Sequence, residues 1–154
     1  MTPPALESRQ LSEKLDQQYN HLQALINEFY QKASAEDLDA IVVPQVDSLN
    51  ALPSDVKDKE LQKQLHKSQA TILEKVEKKL KIVPKEYYKN QWLALGMATF
   101  GIPLGVAFGM ALDNMALFAI GIPIGMAVGI GNGLRLDKKA KDEGRQLDLG
   151  VNPV

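Results

Sequence analysis

Cysteine is absent from the 154 residues, which excludes disulfide scaffolding and thiolate metal centres. Histidine is almost absent: His21 and His66 stand alone, neither with a second histidine three or four residues away, so the spacing of an imidazole metal site does not occur. Aromatic residues are few at 6%, none lies in the stripe of the lysine-rich central helix, and acids interleave with its lysines, unlike a nucleic-acid-binding surface. No nucleophile elbow, phosphate loop or dinucleotide fingerprint is found; the close glycines of GIGNG at Gly129–Gly133 lie inside an apolar run, not at a strand-to-helix turn. These absences predict a chain that is not an enzyme, with no cofactor, metal, small-molecule substrate or nucleic-acid partner.

Charge is also missing, but only locally. No residue from Trp92 to Leu112, or from Met115 to Leu134, is charged, and Asp113 is the single charge between them. Residues 1–50 hold three basic and eight acidic side chains, residues 51–91 ten lysines and six acids, and residues 135–154 five basic and four acidic. The formal net charge of −1 therefore averages over unlike pieces. Four modules are expected: a cytoplasmic helical region over 1–84, an interfacial linker over 85–91, an apolar hairpin over 92–134 and a basic cytoplasmic tail over 135–154. The start MTPPALESRQ has no apolar core behind a basic head, so it does not read as a secretory signal.

Each uncharged run has about the right length for a bilayer. Twenty residues at 1.5 Å rise make a helix of ~30 Å, close to the thickness of a hydrocarbon core. Only Asp113 and Asn114 separate the runs, and both residue types suit a tight turn, with Asn114 placed to cap the second helix. Tyr87, Tyr88 and Trp92 precede the first run, where rings with polar tips favour the headgroup level. Lysines crowd before Trp92, and Arg135, Lys138 and Lys139 follow the second run, while the turn has no basic residue. By the positive-inside rule both termini are cytoplasmic and the partner of the apolar segment is the lipid bilayer.

The apolar runs contain near-identical stretches, GIPLGVAFG and GIPIGMAVG, twenty residues apart. Gly101, Gly105 and Gly109 are four apart, as are Gly121, Gly125, Gly129 and Gly133. Each series lies on one helix face, where another backbone can approach closely. Glycine and proline are poor helix formers in water, but in lipid an unpaired backbone group is far costlier and the helix holds. Pro103 and Pro123 occupy equivalent places about midway along the two runs and are expected to kink them. The stretch LALGMATFGIPLGVAFGMALDNMALFAIGIPIGMAVGIG, with the basic segment that follows, resembles small bacterial membrane proteins of the glycine-zipper family over residues 90–149. That resemblance implies a helical hairpin in the bacterial inner membrane and no catalytic activity; the two in-register prolines depart from the plainer glycine and alanine repeats of such proteins.

Before the apolar runs, Leu15, Tyr19, Leu22, Ile26, Phe29 and Ala33 alternate by four and three, the spacing of a coiled-coil seam. Ser34 and Asp37 read as the start of a short helix that Pro44 interrupts, and Pro53, Ser54 and Asp55 as the next start, with Ser54 the cap. Leu61, Leu65, Ile72, Val76 and Leu80 form a second stripe, closed by Pro84. Fold class is thus all-α: a two-span transmembrane hairpin behind a coiled-coil-like pair of long helices with a short broken connector. The function expected is self-association, or binding of a membrane protein partner, through the glycine faces, with the cytoplasmic helices as an assembly module. Two alternatives are an oligomeric pore gated by those helices and a regulatory or immunity-type subunit of a larger membrane protein. Thr99 and Asn132, the only polar side chains within the spans, make a poor lining for a wide channel.

Overall fold

Glu13–Lys32 (α1), Ala35–Asn50 (α2) and Asp58–Leu80 (α3) supply most of the core of one of the two units into which the chain divides, residues 1–84 with 147–154; residues 85–146 form the other. The structure, a computed structural model, describes residues 3–7, 11–53 and 56–151. The predicted cap Ser54 lies outside the described residues.

The seam expected on α1 is buried at Leu15, Tyr19, Leu22, Ile26 and Phe29, joined by Leu25, while Ala33 forms the helix C-cap. A two-helix pair with a broken connector is not what forms. α2 runs unbroken through Pro44 and buries Leu38, Ile41, Val42, Val46 and Leu49, which makes it a third wall of the core. A proline inside a helix costs about 3 kcal/mol. Here the carbonyl robbed of its donor belongs to Ala40, which is exposed and open to water, as is Pro44. Five buried apolar side chains at about 1.5–3 kcal/mol each outweigh the loss. α2 starts where expected: the Ser34 hydroxyl accepts the Asp37 N–H at 3.4 Å and donates to its carboxylate at 2.9 Å. Lys79 on α3 also pairs with Asp37 at 2.9 Å. That lysine first, and Ser34 second, hold the Asp37 carboxyl below its ordinary pKa.

α3 buries Leu61, Leu65, Ile72 and Val76, with Ser68 and Leu73. It ends at Leu80 rather than at Pro84, because Lys81 turns left-handed at φ 59° and Val83–Lys85 is an extended strand, β1. Extended backbone is what the residue before a proline prefers, here Val83. β1 pairs with β2, Gln146–Gly150, in a two-stranded sheet. Leu147 and Val83 are buried. The Glu28 carboxylate accepts the N–H groups of Asp148 and Leu149 at 3.0 and 3.2 Å, His21 donates to the Gly150 carbonyl at 3.0 Å, and Gln69 donates to Val151 at 2.7 Å. The carboxyl-terminal segment is therefore no separate tail: Arg135–Asp142 continues a long helix, and 147–151 is fastened to α1 and α3.

In the second unit the helical stretch Tyr87–Ala111 consists of α4 (Tyr87–Gly96), a π-helical turn (Met97–Gly101) and α5 (Ile102–Ala111). Residues 85–91 are thus mostly helix, not linker. A 3-10 turn, Met115–Leu117, leads into α6, Phe118–Asp142. α6 stops at Gly144, whose φ of 70° lets Arg145 N–H reach back to the Ala140 carbonyl.

Candidate functional site

The second unit is held by backbone against backbone. A Cβ built on Gly133 would lie 2.5 Å from Lys89 Cα, one on Gly129 3.1 Å from Leu93 Cα, one on Gly125 2.6 Å from Gly101 Cα, and one on Gly105 2.6 Å from the Phe118 carbonyl. Residue numbers fall along α6 as they rise along α4 and α5, so the two stretches run antiparallel. Ordinary van der Waals contact begins at 3.4 Å, so Gly105, Gly125, Gly129 and Gly133 are places where only hydrogen fits. Gly101 and Gly109 are buried too but less confined: a Cβ would meet atoms at 3.4 Å at the first, and the flexible Met115 side chain at 3.0 Å at the second. The glycine faces of the two stretches meet each other within one chain.

One member of this interface escapes a spacing of four. Gly96 lies five residues before Gly101, off the shared face of a regular α-helix, yet its Cβ would fall 2.8 Å from Gly129 Cα. The π-helical turn between them supplies the correction. Ile102 N–H bonds to Met97 five residues back, and the extra residue in the turn brings Gly96 onto the face of Gly101. Pro103 explains why the turn sits there. It has no N–H for the Thr99 carbonyl, and its ring crowds that carbonyl in a regular helix. The Thr99 hydroxyl bonds to the Leu95 carbonyl at 2.7 Å. Pro123, the equivalent residue, is the sixth of a continuous α6. The repeats match in sequence but not in surroundings: Pro103 is the second residue of α5, directly after the π-helical turn. Both prolines are exposed, away from the interface.

With glycine inside, the bulk points out. Every exposed large apolar side chain among the described residues lies between Leu95 and Leu134, including Phe100, Ile102, Met110 at 73% and Met115 at 67%. Tyr87–Ala111 and Phe118–Asp142, 25 residues each and containing 18-residue stretches of mean hydropathy 1.7 and 1.3, are long and apolar enough to cross a membrane.

Polar groups gather at the two ends. At the turn Asp113 is left-handed at φ 48°, and the Asn114 side chain accepts the Ala116 N–H at 3.1 Å. At the opposite end α4 begins at Glu86, which is left-handed and gives no side-chain cap. Its orphan donors are met from α6 instead: the Asp137 carboxylate accepts Tyr88 N–H at 3.1 Å and Lys89 N–H at 2.9 Å. Asp137 is buried. It looks like one of several charges in a basic stretch; the only available signal was its place four residues after Gly133, on the same face. Tyr87 and Tyr88 meet edge to face at 5.3 Å. Trp92 is half-buried, and Arg135, Lys138 and Lys139 are exposed on α6. No group of three His, Asp or Glu side chains that could hold a metal occurs among the described residues.

The chain matches no protein-family model, no curated protein and no solved structure.

Proposed function

We propose that this chain is an integral membrane protein whose two apolar helices form a transmembrane hairpin, and whose three-helix unit is an assembly or partner-binding module tethered at the membrane. The reading rests on one observation, the inversion of the second unit: glycine fills the interface and every large exposed apolar side chain faces outward. In water that surface would be a large exposed apolar patch. In lipid it is the natural outer surface, and close backbone packing replaces the hydrophobic drive that lipid does not provide. The glycine faces are engaged within the chain, so self-association or a membrane protein partner would use the outward face or the three-helix unit. Thr99 spends its hydroxyl on its own helix, which favours an anchor over a pore. Lysine and arginine flank both outer ends of the hairpin and spare the turn, which favours a bacterial inner membrane with both termini cytoplasmic.

Topology reporters test it. A reporter active only in the cytoplasm should work at either terminus, and one active only outside should work at Asp113; opposite sides for the two termini would sink the hairpin. Mass in mild detergent then separates a lone anchor from an oligomer or a partner complex.

A further inference from the structure

We propose that the end of the hairpin opposite the turn carries a binding site for one anionic phospholipid headgroup, beside Trp92 of α4 and the last turns of α6; this rests on the membrane reading above. A cleft of about 290 Å³ there is lined by Trp92, Asn132, Arg135, Leu136 and Lys139. All four polar side chains in that lining offer N–H donors, and no carboxylate lines it. The side chains of Trp92, Asn132 and Arg135 make no hydrogen bond or ion pair among the described residues, and the Lys139 ammonium reaches only Glu143, at 3.9 Å. A neighbouring cleft differs: it holds Lys85, Lys138 and Lys141 together with Glu86, Asp137 and Asp142, so its charges cancel.

The donor set fits a phosphodiester at headgroup depth. A guanidinium presents paired donors that match phosphate oxygens, and Lys139, one turn further along α6, adds a second positive charge. An indole lies where its ring meets acyl chains and its N–H meets the polar layer. Asn132, one turn before Arg135, carries the only polar side chain of α6 in its apolar part, at the depth of the glycerol esters. The cleft's own lining carries two cations and no carboxylate. The nearest anion, Glu143, engages only Lys139 of the two, at the long distance of 3.9 Å, so the site selects a headgroup of net negative charge over a zwitterionic one.

Trp92 is the only tryptophan, so its fluorescence reports from the site. The full chain is reconstituted in phosphatidylcholine vesicles containing, at equal mole fraction, acyl-brominated phosphatidylglycerol or acyl-brominated phosphatidylcholine. The expected result is stronger quenching by the brominated phosphatidylglycerol. Arg135→Gln with Lys139→Gln should weaken that association about thirtyfold, since each basic residue near the surface contributes a roughly fourfold to sixfold preference, and quenching should fall to the phosphatidylcholine level. Lys138→Gln with Lys141→Gln removes the same charge from the same helix outside the cleft and should keep the preference. Equal quenching of the unaltered chain by both lipids overturns the site. So does equal loss of preference in both double variants, which would mean diffuse attraction to the surface. Quenching by neither lipid overturns the membrane reading itself.

Discussion

Alanine at position 125 should pry the second unit apart, whereas alanine six residues later should tighten it. A methyl on Gly125 would fall 2.5 Å from the Gly101 nitrogen, 2.6 Å from its Cα and 2.6 Å from the Gly96 carbonyl, all of them backbone atoms that have no rotamer to move. Reaching ordinary contact takes roughly an ångström of separation between two helices, and dispersion contacts along the whole seam weaken over such a gap. Overpacking of this kind costs about 1–3 kcal/mol. A methyl on Gly131 meets nothing within 4 Å, and the substitution gains up to about 1 kcal/mol of helix propensity. Gly101→Ala, with its nearest atoms at 3.4 Å, should fall between the two. Because the chain has no cysteine, spin labels placed through Ala94→Cys and Ala127→Cys can report the distance between helices in detergent while added denaturant measures stability. The expected order of stability is Gly131→Ala above Gly101→Ala above Gly125→Ala, with a longer label distance for the last alone. Equal distance and stability in Gly125→Ala and Gly131→Ala would refute backbone contact between the helices.

Replacing Asp137 by Leu should orphan the first-turn donors of α4 and lower the stability of the second unit by about 1–3 kcal/mol, with Asp137→Asn losing less because an amide oxygen still accepts; unfolding in detergent reads both. Leu22→Asp with Ile26→Asp should unfold the three-helix unit by burying two carboxylates, seen as lost helical circular dichroism, while flotation with membranes persists. Tyr30 gives a pH test. Burial first, then its hydrogen bond to Asp39 and the charge on that carboxylate, raise its pKa above the ordinary 10.0. The folded chain therefore keeps a proton that the unfolded chain releases, so this stabilisation is complete below pH 10.0 and lost as pH rises toward the folded value. Tyr30→Phe should flatten the alkaline decline in melting temperature; an unchanged decline would remove Tyr30 as its cause.

The sequence by itself settled whatever depends on residues near one another in the chain. Two uncharged runs of about twenty residues, glycines recurring at four and an Asp-Asn turn specify two apolar helices, one smooth face on each and a short connection. Helical period and local turn chemistry decide those features without reference to anything distant. Ser34 and the α1 seam were legible for the same reason. Tertiary structure alone decided who meets whom. A glycine face is equally suited to a helix of the same chain and to one from another; the antiparallel register pairing Gly125 with Gly101 and Gly133 with Lys89 resolves that choice. Gly96 joined the interface only because a π-helical turn ahead of Pro103 absorbed one residue. Pro44 reads locally as a breaker, yet five buried side chains on both sides of it hold α2 together. Asp137 caps a helix that starts about fifty residues earlier, and Leu147 joins a core built by the first eighty-four. Local rules act within a few residues along the backbone, whereas burial and backbone hydrogen-bond satisfaction are settled between segments that meet only in the fold.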